Sequence, residues 1–406
     1  MKVDETTFER KSAMLCFDFI EEILGTQGIK LKETEFKGKS FEIYVEIPRK
    51  EHKCPECKES TDWIHDYRTQ KIKAGEANGY LLNIYYRKRR YKCQGCGKQF
   101  YEENSFVGRY KRMTKMMTLT ILEMIQGTKS FTEVAKTLGI STQTVVRTFD
   151  TVSYAKPDEL PKVLGIDEFQ GNAGGEKFQV SLTDPENRKV LEILPCRKES
   201  ELSLYFKSFP KAERDKVQYF VSDMYKPYLR IQESWFPNAV HIVDKYHWVR
   251  QLFWAFESIR KREQQKHGKN HRLYFKRNRN ILTRRFRELN DDDQQQVLNI
   301  LYLSSDLSTA HFYKERMQQI LDMDDPKEQK KQFVKLTDGM KQSGIHELER
   351  CADTYYRWLK GILASFDYKY TNAFTEGMNN KIKVLKRNAY GYRDFSRNRK
   401  RILRMA

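Results

Sequence analysis

No apolar run in this sequence approaches the roughly 18 residues that a membrane-spanning helix needs, so nothing in it predicts a membrane anchor. The start, MKVDETTFERKSAML, carries acids where a cleavable leader would be basic and then apolar, so no secretory route is expected. A disulfide framework is missing too. Of seven cysteines, four fall in two CxxC pairs, while Cys16, Cys196 and Cys351 are isolated, which fits a reducing interior and a cytoplasmic protein. The chain is also short of acid: 55 Asp plus Glu stand against 75 Lys plus Arg, a formal net charge of +20. An excess of that size favours a polyanionic partner, and with the membrane set aside that partner is nucleic acid. Aromatic residues at 13% mark a folded protein and not a basic tail, and 406 residues predict two to four modules.

Apolar positions from about Ser12 to Thr26 recur at helical spacing and stop at Gly25. Strand-like alternation follows in Phe41–Ile47 and Tyr80–Tyr86, each run leading toward a CxxC knuckle: Cys54-Pro55-Glu56-Cys57 and Cys93-Gln94-Gly95-Cys96. Each such turn presents two thiolates to one metal, so Cys54, Cys57, Cys93 and Cys96 are expected to hold one structural Zn²⁺. The gap between the knuckles suits a zinc ribbon with strands inserted. Redox CxxC motifs compete with this reading, but they occur singly at a helix start. With four thiolates closing the site, His52 and His65 are bystanders. The run Arg87-Lys88-Arg89-Arg90-Tyr91-Lys92 reads as a basic edge, with Arg87, Arg89 and Arg90 placed for a phosphate backbone; a solvated strand end is the alternative.

From Met113 to Val152 the period is helical. Ser130 and Glu133 form a capping box, Ala135 is small where two helices would cross, Gly139 permits a tight turn, and Ser141 caps the next helix. This is helix-turn-helix form. Val145 and Val146 are expected to face inward, leaving Thr142, Gln143, Thr144 and Arg147 for base edges or phosphates.

A linker near Ala155–Asp158 leads to the stretch Val163-Leu164-Gly165-Ile166-Asp167-Glu168-Phe169, an apolar strand broken by acid near its end. Alternation sends Asp167 and Glu168 to opposite faces, so only one belongs to a given site. A carboxylate there either meets a cation or caps a turn. Strands at Lys177–Leu182 and Lys189–Leu194 make a meander with it, and Val217–Asp223 and Ala239–Asp244 alternate with helices. The order βββαβαβα, with acids ending strands one, four and five, is that of a ribonuclease-H-like fold. Between Trp248 and Tyr368 no strand signal appears, which predicts a helical insertion with basic faces. Asn290-Asp291-Asp292-Asp293 is a helix boundary in it. Read as a helix, Tyr370–Arg387 aligns Glu376, Asn379, Asn380 and Lys383 on one ridge and Met378, Ile382 and Leu385 on another. Glu376 beside two strand-end aspartates would complete a three-acid metal site.

The chain resembles DDE-type insertion-sequence transposases of the bacterial ISL3 family over almost its whole length. The resemblance rests on CPEC…CQGCGKQF, the helix-turn-helix, LGIDEF, VSDMYKPY, VDKYHWVR and, most specifically, TEGMNNKIKVLKRNAYGYRDF. It implies that Asp167, Asp223 and Glu376 are the catalytic acids, with the insertion between the second and third. The expected fold is thus multidomain α/β: an N-terminal zinc ribbon (1–110), a helix-turn-helix (111–156), a ribonuclease-H-like catalytic core (157–247), a helical insertion (248–368), and a last helix with the third acid and a basic tail (369–406). Three hard-oxygen carboxylates would hold two Mg²⁺ about 4 Å apart, for hydrolytic nicking of transposon ends and attack of the freed 3′-hydroxyl on target DNA. Asn379, Lys383, Lys386, Arg387, Tyr390 and Arg393 would contact DNA near the cut. Asp244 and His247 would either position substrate or the metal's water shell, or act as a helix cap and a packed histidine. The expected partners are double-stranded DNA, both terminal inverted repeats and target, and a second copy of the chain to bring two ends together on the nucleoid. A non-catalytic DNA-binding regulator and a nuclease unable to join ends are the competing functions.

Overall fold

The structure, a computed structural model, describes residues 28–108 and 111–406. The helix expected near Ser12–Thr26, with Cys16, lies outside them. The chain divides into two compact units: one runs up to Tyr154 and takes in 384–391, and the other holds 155–383 and 392–404.

The first unit opens with a sheet in the order β1-β2-β6-β5, from β1 (Lys30–Lys37), β2 (Ser40–Glu46), β5 (Ile64–Ala77) and β6 (Tyr80–Lys92). Strands β5 and β6 form a long hairpin closed by Asn78-Gly79, both at positive φ (51° and 83°), the backbone that a two-residue hairpin turn requires. Ile43, Val45, Ile72, Ile84, Tyr86 and Phe106 are its core. The short strands β3 (His52–Lys53) and β4 (Ser60–Thr61) pair with each other, and β7 (Gln99–Tyr101) pairs with the end of β6. The basic end of β6 is therefore not an edge: β5 flanks it on one side and β7 on the other.

Three helices follow: α1 (Lys115–Gln126), α2 (Phe131–Thr137) and α3 (Thr142–Asp150). The Ser130/Glu133 capping box is formed, Gly139 turns at φ 59°, and the Ser141 side chain accepts from Thr144 N. Their core joins Ile121, Ile125, Val134, Ala135, Leu138, Val145 and Phe149. One expectation is corrected here. Val146 is only half-buried, and Thr148 and Phe149 complete the inward face, because a nine-residue helix packed along one side buries i, i+3 and i+4.

In the second unit a five-stranded sheet has the order β10-β9-β8-β11-β12. It is built from β8 (Val163–Ala173), β9 (Glu176–Asp184), β10 (Lys189–Leu194), β11 (Tyr219–Ser222) and β12 (Val240–Val243). The first three are antiparallel neighbours, and β11 and β12 run parallel to β8, which is the ribonuclease-H-like arrangement. Helices α4 (Glu199–Lys207) and α5 (Lys211–Arg214) precede β11, and α6 (Lys226–Trp235) links β11 to β12. Strand β8 is longer than its apolar run: it continues past Phe169 as a polar arm paired with β9, so Asp167 stands in mid-strand.

The insertion is all helix: α7 (Lys245–Gln265), α8 (Lys269–Arg277), α9 (Arg279–Thr283), α10 (Asp291–Tyr302), α11 (Ser305–Leu321), α12 (Pro326–Lys341), α13 (His346–Arg357) and α14 (Leu359–Asp367). Trp248, Phe333, Tyr355 and Phe366 stack at its centre, and Tyr355 Oη donates to Trp248 O at 2.9 Å. Asn290 caps α10, whose first turn carries Asp291, Asp292 and Asp293, acids suited to the positive end of a helix dipole. Its basic faces are more self-contained than the sequence implies. Arg260 and Arg279 pair with Glu257, Arg262 with Asp306 and Glu347, and Arg285 and Arg287 with Asp322. The chain ends with α15 (Ala373–Asn388) and α16 (Phe395–Met405). Helix α16 is tied to the antiparallel strands by Arg399 on Glu192 and by Asn398 Nδ2 donating to Gln179 Oε1 at 2.9 Å.

Candidate active site

The strand register creates the site. The ladder pairs Val221 with Gly165 and Ser222 with Val243. Continuing it by one or two residues sets Asp167, Asp223 and Asp244 in one row across β8, β11 and β12, where the parallel strands end. The first stretch of α15 closes over this row through a buried polar seam. Asn372 Nδ2 donates to Ile166 O at 3.1 Å, the Thr183 and Thr375 hydroxyls meet at 2.7 Å, and Asn379 Nδ2 donates to Asp167 Oδ2 at 2.8 Å. Gly165 permits the approach: a Cβ there would fall 2.5 Å from Thr183 Oγ1 and 3.1 Å from Asn372 Oδ1.

Asp167 is 6% exposed. Its Oδ1 accepts from Glu168 N at 2.8 Å and its Oδ2 from Asn379. Burial raises its pKa to about 7, against the lowering effect of that backbone hydrogen bond, and the charges of Asp223, Glu168 and Glu376 push it further the same way. Burial, with Glu168, also raises Asp223 to about 6, while His247 and Arg197 pull it down. Glu376 is raised by burial and then by Asp244, against His247, Lys383 and Arg250. Glu168 has its own partners, Arg197 and the buried Tyr228 hydroxyl, yet its charge reaches both aspartates. Asp223 and Glu376, two of the acids read from the sequence, thus both act electrically on the third, Asp167. Glu376 itself lies against Asp244 and His247, with donor atoms of those three all within 4.8 Å of one another.

So many acids in one enclosed row are unfavourable without a cation, which gives a stability test. A carboxyl whose pKa is raised by folding contributes stability fully below its unfolded value and loses it as pH rises through the folded value, here from 3.8 to about 6 for Asp223. Asp223→Asn is expected to stabilise the zinc-loaded, magnesium-free protein by about 1–3 kcal/mol at pH 8, and by about half as much at pH 5. Paired urea denaturation curves measure this, and a difference independent of pH contradicts it.

Several residues assigned to DNA from the sequence are placed otherwise. Arg89 is buried and held by Glu46, Glu102 and Ile47 O, so its guanidinium serves the sheet and not a phosphate. Arg90 is paired with Asp66 and Arg87 with Glu46, although Arg87 remains half exposed. Asn379 is buried and engages Asp167, so it positions an acid instead of meeting DNA. Gln143, Arg147, Lys383, Arg387, Tyr390 and Arg393 are exposed, while Thr142, Thr144 and Lys386 are half-buried. Sequence reading passed over Asn372, Thr375 and Tyr228. An amide-rich helix in a basic chain gives no sign that its amides turn inward.

The cysteines form a second centre. Cys54 Sγ lies 3.5 Å from Cys96 Sγ and Cys57 Sγ 3.4 Å from Cys93 Sγ, near the ~3.8 Å separation of thiolates around one tetrahedral zinc. The knuckles are built alike. Cys54 N donates to Glu59 O and Cys93 N to Lys98 O, while Lys58 and Gly97, both at positive φ, donate back to the cysteine carbonyls. The set is closed by sulfur, leaving His52 packed at a tilt against Tyr91 and His65 beside Asp66. This is a structural zinc site, and its donors fit the ion.

A ribonuclease-H-like sheet with acids at the ends of its parallel strands, preceded by a zinc ribbon and a helix-turn-helix, defines a DNA-processing protein. Comparison with known proteins agrees. Residues 164–402 match the transposase domain of the ISL3 family, 102–153 the helix-turn-helix domain of the same family, and 50–96 the zinc finger of transposases of IS204, IS1001, IS1096 and IS1165. The chain belongs to the ISL3 family of transposases. It is 25% identical over 392 residues to the transposase for insertion sequence element IS1001 of Bordetella parapertussis, covering 94% of this chain and 96% of that protein. As a transposase with a helix-turn-helix, it binds DNA. No helix among the described residues is long and apolar enough to cross a membrane.

Proposed function

We propose that this transposase cuts the ends of its insertion sequence and joins the freed 3′-hydroxyls to target DNA, with Asp167, Asp223 and Glu376 as the metal-holding acids. The observation that carries this reading is the strand register that sets Asp167 beside Asp223 where the parallel strands end, with Glu376 near enough that its charge, like that of Asp223, acts on Asp167. Two Mg²⁺ ions held there would activate the attacking oxygen and neutralise charge on the leaving one. Asn379 and Glu168 N fix the two oxygens of Asp167, so the carboxylate faces the site in one orientation. A bound cation favours the ionised carboxylates and so opposes the upward shifts that burial imposes on Asp167 and Asp223. In the first reaction a water oxygen bonds to phosphorus and the bond from phosphorus to the transposon 3′-oxygen breaks, freeing a 3′-hydroxyl. In the second, that hydroxyl forms a new bond to a target phosphate and releases the target's own 3′-oxygen.

The ribbon and helix-turn-helix recognise the terminal repeats, with Thr142, Gln143, Thr144 and Arg147 at the DNA and Lys383, Lys386, Arg387 and Arg393 gripping the strand near the cut. Two copies of the chain hold two ends in the synaptic complex, on the nucleoid in the cytoplasm. Arg147→Ala is expected to weaken duplex binding about 3- to 30-fold and lower the salt slope by about 0.9 if it meets a phosphate. Fluorescence anisotropy over a salt series reads both, and unchanged affinity would remove Arg147 from the interface.

The enzyme assignment is tested by incubating full-length protein with labelled DNA carrying the terminal repeats, Mg²⁺ and a target plasmid. Cleavage with joining supports it. Cleavage alone shows a nuclease, and binding without cleavage a regulator; either overturns it.

A further inference from the structure

Asp244 and His247 form with Glu376 a cluster of which the three-acid reading uses only Glu376. Asp244 ends β12 and is 2% exposed. Its Oδ1 accepts from Asn372 N at 2.9 Å, but its Oδ2 is buried with no hydrogen-bond partner among the described residues. An unpartnered buried carboxylate oxygen is unfavourable unless a cation meets it. His247 stands in the first turn of α7, its backbone N donating to Asp244 O at 3.1 Å, and its ring lies near the Asp244 carboxylate. Its Nε2 is 3.6 Å from Glu376 Oε1, too far for a good hydrogen bond and suited to two ligands of one ion. One donor atom from each of the three lies within 4.8 Å of the others, the span of a single coordination sphere with bonds of about 2.0–2.3 Å. Asp167 and Asp223 are not part of this set.

We infer that Asp244, His247 and Glu376 form a divalent-cation site of two carboxylates and one imidazole, beside the site built on Asp167 and Asp223, with Glu376 adjoining both. This deepens the proposed function and rests on it only for Glu376's part in the reaction. The imidazole sets the chemical class of the ion. All-oxygen sites suit Mg²⁺ and Ca²⁺, whereas a nitrogen ligand favours first-row transition metals, so Mn²⁺ binds here better than Mg²⁺. His247 also acts electrically on both Asp223 and Glu376, so an ion at this site couples the two halves of the acid row.

The test uses the full-length, zinc-loaded protein and Mn²⁺ alone as the probe, so thiolate ligands are already occupied. Pulsed electron paramagnetic resonance is expected to show ¹⁴N coupling to bound Mn²⁺. His247→Gln should abolish that coupling and weaken Mn²⁺ binding about tenfold or more, and Asp244→Asn should weaken it similarly. Asp167→Asn should leave the ¹⁴N signal in place. Circular dichroism and melting curves confirm that each variant is folded, and two independent variants guard against one that is not. Bound Mn²⁺ without ¹⁴N coupling, or coupling that survives His247→Gln, overturns the inference. The proposed reaction is separable: a ¹⁴N signal dependent on His247, together with full cleavage by Asp167→Asn, would refute the three-acid mechanism and leave this site standing.

Discussion

Asp167→Asn should lower DNA strand cleavage by at least about 10³-fold, a barrier increase of about 4 kcal/mol, while leaving affinity for terminal-repeat DNA within about threefold. The substitution keeps shape and volume but replaces a charged oxygen ligand with a neutral amide. Two features of the site make the loss large. Asp167 stands in mid-strand, paired with Ser181 of β9 and two residues past the Gly165–Val221 pair that ends the ladder with β11, so backbone movement does not readily bring another acid into its place. Its nearest acidic neighbour in sequence, Glu168, is committed to Arg197 and Tyr228. DNA affinity is expected to be spared because the proposed DNA contacts, in the helix-turn-helix and along α15, do not depend on that charge. Gel assays of nicked product beside anisotropy titrations give both numbers. A cleavage loss matched by an equal loss of binding would make Asp167 a structural residue.

Removal of zinc should produce the second large effect, a local one. Structural Zn²⁺ contributes on the order of 10 kcal/mol to small metal-organised domains. Here the sheet of β1, β2, β5 and β6 has its own apolar core around Ile43, Ile72, Ile84 and Tyr86, away from the knuckles. The knuckle end has little besides the metal: two-residue strands β3 and β4, the tilted packing of His52 against Tyr91, and the short strand β7. Chelation of zinc, or Cys57→Ser, is therefore expected to abolish amide-exchange protection over residues 52–64 and 91–101 while strands β2 and β5 and the first half of β6 stay protected. Protection unchanged after verified zinc loss would mean that the knuckles are held by something other than a metal.

Much of this architecture is legible in the chain because its signals are local. CxxC turns, the Ser130/Glu133 capping box and the alternation of strands with helices need no distant partner to be recognised. The errors fall where a polar residue is used inside. Arg89 belongs to a basic run that reads as solvent-facing until Glu46 and Glu102, remote in sequence, are brought against it. Asn379 sits among amides and lysines, and its Asp167 partner lies 212 residues away. The same holds for Thr375 on Thr183 and Asn372 on Asp244. Helical periodicity sorts residues by polarity, and a polar seam buried between α15 and the sheet reverses that sorting. Strand β8 outruns its sequence signal for a related reason: beyond Phe169 it continues as Gln170-Gly171-Asn172-Ala173, which carries no apolar alternation, and pairing with β9 keeps it extended.

Asp167 and Asp223, with Glu376 beside them, are proposed to bind the cations through which DNA is cut. Anomalous X-ray scattering from crystals of the full-length protein bound to a terminal-repeat DNA and soaked in Mn²⁺ tests this most directly. The account predicts an anomalous peak about 2.0–2.3 Å from carboxylate oxygens of both Asp167 and Asp223. Well-occupied crystals with DNA at the sheet edge and no peak within reach of either aspartate would contradict it.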